Sequence, residues 1–283
     1  MEIEGLKDRG IGGSREIEGL KDYLDELVLR YNTEEFIERD PVRFPRRYRL
    51  LQDVEIVAFV VATIAWGRRE LILRDAERML SVMGCSPYDY VMSGGYEGLG
   101  RKNVHRTFFE HNLAYMLRGF RHFYLMNESM DAALGASGDA SPQRLVEMLS
   151  LSAAEANGGR RDVRCYGSNI EKSALKRVNL ALRWLVRKDG IVDMGVWRSL
   201  GPERLMMPLD VHSGAVSREL GLLSRRANDR RSVEELTARL REFRPDDPVV
   251  YDFALFGAGE ERSRLRRGAQ AEGCGLAGGG LPI

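Results

Sequence analysis

The apolar positions of this chain recur mostly with a helical period, and no stretch alternates convincingly as a half-buried strand would. From Asp53 to about Met83 the pattern predicts a buried helical segment up to Trp66, a break at Gly67 and an amphipathic segment. In that last part Leu71, Leu73, Ala76 and Leu80 fall at helical spacing. Residues 84–103 carry Pro87, Gly94, Gly95, Gly98 and Gly100 and read as a loop. Val104 to Met126 reads as one helix whose aromatics (Phe108, Phe109, Tyr115, Phe120, Phe123, Tyr124) suit a core better than stacking platforms. Residues 127–168 are small and polar, with a short helix near Pro142–Leu151.

The second half is patterned more strongly. Lys176 to Arg187 is a predicted helix with Leu175, Val178, Leu182 and Leu185 on one face. Ser232-Val233-Glu234-Glu235 fits a capping box opening a helix that buries Val233, Leu236, Leu240 and Phe243. Asp246-Asp247-Pro248 starts a last helix running through Phe256 to Gly257. The fold class that follows is all-α.

Near the N-terminus, Glu2-Ile3-Glu4-Gly5-Leu6-Lys7-Asp8 recurs as Glu16-Ile17-Glu18-Gly19-Leu20-Lys21-Asp22. Two copies are too few for a solenoid. They divide the chain into a loose extension over 1–22, a helical domain over 23–259 and a basic, then Gly/Ala-rich tail over 260–283.

With 283 residues, 43% hydrophobic and 30% charged, the chain has the makings of one sizeable core. Its longest apolar run, Ile56 to Trp66, is too short to span a bilayer, and no apolar signal core precedes it. Cys85, Cys165 and Cys274 are odd in number and far apart, so neither a disulfide framework nor a close-spaced metal site is expected. A cytoplasmic location follows. The net charge of +1 says little, but its distribution is uneven. Residues 160–188 hold nine Lys/Arg against Asp162 and Glu171, which suits contact with phosphate or, equally, a solvated helix face.

Two segments carry candidate chemistry. Lys176-Arg177-Val178-Asn179 places a lysine at the start of an amphipathic helix, and Pro208-Leu209-Asp210-Val211-His212 places a carboxylate where another helix begins. A lysine held near an aspartate can attack a sugar carbon whose bond to its base is weakening, with the carboxylate supporting the developing charge. Taken singly, Lys176 reads as a solvated lysine with Lys172 as its rival, and Asp210 as a plain N-cap.

These segments resemble the helix-hairpin-helix DNA glycosylase superfamily, which includes endonuclease III and the 8-oxoguanine glycosylases. Asp210-Val211-His212, Ala65-Trp66-Gly67-Arg68 and Arg183-Trp184-Leu185-Val186-Arg187 are similar, more specifically, to the DUF2400 family, over roughly residues 35 to 259. The resemblance implies a two-lobed helical fold with a cleft between the lobes. It implies a monomeric, nucleoid-associated glycosylase/AP lyase acting on double-stranded DNA, with 8-oxoguanine the favoured lesion and no metal or organic cofactor. Lys176 would be the nucleophile and Asp210 the carboxylate. Their spacing of 34 positions is longer than in endonuclease III-like members and closer to the enlarged connection of the archaeal 8-oxoguanine branch.

By the same resemblance, Trp66, Arg68 and Arg69 form the turn that fills the gap left by an extruded base or touches its orphaned partner, and Arg177 and His212 contact DNA. Asp252 and Phe256, four residues apart on one helix face, would read and stack on the base. Each has a blander reading: Trp66 in the core, His212 as a structural hydrogen-bonder, Asp252 paired with an arginine. The superfamily's glycine-rich hairpin is replaced by Ser173-Ala174-Leu175, with Gly167 the nearest glycine, and the four-cysteine cluster set of endonuclease III is absent. Two alternatives keep the scaffold: a non-catalytic nucleic-acid-binding protein, and a glycosylase for another damaged base.

Overall fold

Helix α3 (Leu51–Ile64) is buried at every position from Asp53 to Ile64, so it is apolar all round instead of striped. In the computed structural model, which describes residues 14–166 and 170–275 and side chains from residue 17 to 265, it is the rod on which much of the helical fold is built. Before it come α1 (Ser14–Tyr31) and α2 (Glu34–Arg39). After it come α4 (Arg69–Ser81), α5 (Pro87–Met92), a small antiparallel hairpin of β1 (Asn103–His105) and β2 (Phe108–Phe109), and α6 (Glu110–Met126). Then follow α7 (Met130–Ala136), α8 (Pro142–Ala156), α9 (Val163–Tyr166) and α10 (Lys176–Val186). The chain ends on α11 (Val211–Glu219), α12 (Arg230–Phe243) and α13 (Tyr251–Gly275). Helix α10 lies along α3, α6 packs on α8, and α13 packs on both α1 and α11. No described helix is long and apolar enough to cross a membrane.

Several expectations from the sequence need correcting. The loop expected over 84–103 contains α5, and the thinly anchored stretch after Asn127 contains α7. Two buried carboxylates in the first turns of α3, just before its apolar run, help to fix both. Asp53 accepts the Tyr88 amide at 2.6 Å, and Glu55 accepts the amides of Met130 and Asp131 at 2.9 and 3.0 Å. Each satisfies donors that a helix start leaves without an intrahelical partner. Val104 to Phe109 is a hairpin and not helix, because Arg106 turns the chain in the left-handed region and the buried His105 is held from two sides. Helix α12 exists as expected, but Asp229 is its N-cap and accepts the Ser232 amide at 3.0 Å, so Ser232 lies inside it.

The termini also differ from expectation. The second copy of the repeat belongs to α1, where Leu20, Leu24, Leu27 and Val28 are buried at helical spacing. The first copy, Glu2 to Asp8, lies outside the described residues. Helix α13 continues past Gly259, because Glu261 accepts from Tyr31 at 2.6 Å and pairs with Arg30 at 2.8 Å, tying it to α1.

Glu55 gives a stability prediction. Burial pushes its carboxyl from 4.5 up to about 7, against the pull of the two amides and the Tyr124 hydroxyl. The folded protein therefore takes up a proton that the unfolded chain, titrating near 4.5, does not hold between those values. This group's contribution is full below about pH 4.5 and is lost as pH rises towards 7, on the order of 3 kcal/mol. Glu55→Gln should remove that slope from melting curves taken between pH 5 and 7.5. An unchanged slope would assign it to another group.

Candidate active site

The start of α10 is fixed before the lysine is reached. Ser173 bridges to Asp229, the Arg230 amide donates to the Lys172 carbonyl at 3.0 Å, and the Ser173 hydroxyl accepts the Leu175 amide at 3.2 Å. Leu175 then takes φ 47°, ψ 32°, a left-handed conformation that a Cβ disfavours by roughly 1–2 kcal/mol. A glycine would take this conformation without that cost; Gly167, the nearest glycine before it, lies outside the described residues. One turn into α10, the buried Asn179 donates to the Ala174 carbonyl at 3.0 Å and the Met207 carbonyl at 3.5 Å. It thereby ties the lysine's helix to the strand of chain that leads to Asp210.

Asp210 is the N-cap of α11. Its Oδ1 accepts the amides of His212 and Ser213 at 2.8 and 2.9 Å, and the Ser213 hydroxyl oxygen in turn accepts the Asp210 amide at 2.9 Å. That leaves Oδ2 directed at the Lys176 ammonium, 3.2 Å away, with the two side chains 11% and 29% exposed. Burial opposes the charge on Asp210, yet the Lys176 ammonium and the capping amides hold its carboxyl below the ordinary value. The result is an ionised, oriented carboxylate beside an amine that solvent still reaches. Lys176 Nζ also lies 3.4 Å from the Ala65 carbonyl, which brings in the turn between α3 and α4.

That turn is held by residues the sequence did not flag. His105 places Nε2 2.8 Å from the Trp66 carbonyl and Nδ1 2.8 Å from Asp75 on α4. Its ring meets the half-buried Trp66 edge-on at 5.4 Å, and the Arg106 guanidinium lies 4.9 Å over the indole. Gly67 has φ 98°, a conformation that strains any residue with a Cβ, and a Cβ there would also make the Arg106 guanidinium move. Trp66 is therefore neither free nor wholly core. Arg68 beside it is exposed, 3.8 Å from Glu70.

The other expected residues are placed differently. Phe256 is half-buried, with His212 edge-on at 6.3 Å and the Arg69 guanidinium 4.9 Å over its ring. Arg69 is itself engaged by Glu260 at 3.4 Å and Asp40 at 3.8 Å, so it braces α13 and does not project from the turn. His212 approaches the Ser263 hydroxyl at 3.2 Å. Arg177 donates to the Arg164 carbonyl. Asp252 faces no open pocket: it is 4% exposed and pairs with Arg183. Burial, joined by repulsion from Asp210 and opposed by Arg183, pushes its carboxyl up to about 6.

Asp252 belongs to a buried network. Arg183 on α10 and Arg187 at its C-cap stand about one turn apart, each 2% exposed, and stack on Phe253. Arg187 binds Asp193, Asp189 at 3.1 Å and Asp247 at 2.9 Å, while Arg183 binds Asp193 at 3.3 Å as well as Asp252. These two arginines leave the basic patch counted from sequence, since their charge is neutralised internally. The legible signal was a pair of arginines within Leu182-Arg183-Trp184-Leu185-Val186-Arg187, because a cation inside a buried helix needs acidic partners.

No curated relative and no solved structure matches the chain. The model of the family described as a protein of unknown function, DUF2400, matches residues 40–261. That span contains the turn after α3, the start of α10, the cap of α11 and the Arg183–Asp252 pair, and the chain belongs to the DUF2400 family.

Proposed function

We propose that this protein is a DNA glycosylase with AP lyase activity, working as a monomer on double-stranded DNA that carries a damaged base. The observation that carries the reading is the Lys176–Asp210 pair, 3.2 Å apart across 34 residues of sequence and partly open to solvent. The two-lobed helix-hairpin-helix arrangement is part of the same reading. The target nucleotide swings out of the stack, and Trp66 at the α3–α4 turn fills the space it leaves. Lys176 sheds a proton and its amine attacks C1′. The bond from C1′ to the base breaks, and the base leaves with the electron pair and takes up a proton. Asp210 offsets the positive charge that gathers on the sugar. Opening of the sugar ring gives a Schiff base at Lys176. Loss of a proton from C2′ then expels the 3′ phosphate by β-elimination. This chain's residues supply the nucleophile and the countercharge without a metal or organic cofactor.

Borohydride trapping of the wild-type chain tests the proposal, on duplexes bearing 8-oxoguanine, other damaged bases or an abasic site. A covalent adduct with the abasic duplex is expected, and 8-oxoguanine is the proposed lesion. Tight binding with no adduct on any duplex would leave a non-catalytic DNA-binding protein. Adducts with other lesions but none with 8-oxoguanine would keep the chemistry and replace the substrate.

Asp252 is no longer needed as the base reader. Asp252→Ala leaves Arg183 buried with Asp193 alone, and breaking such a pair costs about 3–5 kcal/mol. The variant should melt well below wild type and lose affinity for 8-oxoguanine and abasic-analogue duplexes alike. A selective loss on 8-oxoguanine with normal stability would restore the reading role.

A further inference from the structure

Between the end of α8 and the start of α9 the chain turns at Gly158 and Gly159, both with positive φ, and presents Arg160, Arg161 and Arg164 to solvent. The backbone beneath these side chains is pinned. The Tyr115 hydroxyl donates to the Arg160 carbonyl at 2.9 Å. Asp162 accepts the Arg164 amide at 2.9 Å and the Asn112 side chain at 2.5 Å, which occupies both its oxygens. Arg177, the residue after Lys176, donates to the Arg164 carbonyl. The three arginines have no ion pair among the described residues. With Arg118, His111 and Asp162 they line an open cavity of about 400 Å³, where Arg118 is already neutralised by Glu97 at 2.8 Å and the Asp162 oxygens are held by the Arg164 amide and the Asn112 side chain, not by an arginine.

A rigid backbone under three unpaired guanidinium groups is a preorganised anion site, since each fork can take a phosphate oxygen pair without a carboxylate to displace. We infer that Arg160, Arg161 and Arg164 form a phosphate clamp that holds the DNA backbone next to the site, registered to Lys176 through the Arg177–Arg164 link. This rests on the proposed DNA substrate and adds a second contact surface to it. The buried Arg183 and Arg187 cannot serve this purpose, so the usable part of the basic stretch is concentrated here.

The test is the salt dependence of binding to an abasic-analogue duplex, measured for wild type, for Arg160→Ala/Arg161→Ala/Arg164→Ala and for Arg198→Ala/Arg204→Ala/Arg239→Ala. The last removes the same charge from other exposed positions. Each phosphate contact contributes about 0.9 to the slope of log affinity against log salt, so the clamp variant should lose about 2.7. The control should keep the wild-type slope, and thermal melts should show all three proteins folded. A clamp variant with the wild-type slope, or a control that loses as much, overturns the clamp while leaving the glycosylase reading intact. Wild type with no affinity for DNA would remove both.

Discussion

Lys176→Gln is expected to abolish strand cleavage and borohydride trapping altogether, while binding to an abasic-analogue duplex stays within about threefold of wild type. Glutamine has no amine that can form a Schiff base, so the covalent route closes completely instead of slowing. Its side-chain amide can still donate towards the Ala65 carbonyl and Asp210, the two acceptors that Lys176 meets. The start of α10 depends on backbone links from Ser173 and Lys172 and on the Asn179 side-chain amide, none of which involves the Lys176 side chain. Loss of the cross-link therefore reports chemistry and not unfolding. Lys172→Gln, run alongside, should trap normally, because Asp210 faces Lys176. A normal cross-link from Lys176→Gln and none from Lys172→Gln would move the nucleophile four residues upstream.

How much of this arrangement could be read in advance depended on whether the determinant was local. Helices α3, α4, α10 and the core of α13 follow from apolar spacing within a single segment, and so does the turn at Gly67. Asp210 announced itself as a cap because the helix it opens comes directly after it. Helix α5 did not, since its N-terminus is satisfied by Asp53 from α3, far away in sequence; α7 has a local cap in Ser129, which accepts the Ala132 amide at 3.0 Å, but its other free amides go to the distant Glu55. The hairpin at Arg106 was hidden by the same limitation: Asp75 and the Trp66 carbonyl hold His105 in place across about thirty residues or more. Within the candidate site, the i and i+4 relation of Asp252 and Phe256 is real, but adjacency on one helix said nothing about Arg183 waiting on another. Burial turned a candidate base reader into the counter-ion of a structural arginine.

Asp210→Asn is expected to slow base excision by roughly a hundredfold or more while leaving the fold intact. The asparagine oxygen can take the place of Oδ1 and accept the His212 and Ser213 amides, so the cap of α11 survives. What changes is the atom facing Lys176. An amide group replaces a carboxylate oxygen 3.2 Å from Nζ, removing the negative charge that the proposed reaction sets against the cationic sugar. Loss of a charge-stabilising group of this kind commonly costs two to three orders of magnitude in rate. The pair itself contributes little to stability, because Lys176 is 29% exposed and water screens it, so the melt should shift by no more than about 1 kcal/mol. Asp210→Ala should behave differently, losing both the charge and the cap, with a further penalty of about 1 kcal/mol. Single-turnover excision, measured beside thermal melts of both variants, separates the two roles. An Asp210→Asn protein that melts as wild type and excises slowly supports an electrostatic role at the reacting sugar. One that excises at the wild-type rate removes Asp210 from the chemistry, and one that melts far below wild type makes it a residue of the fold.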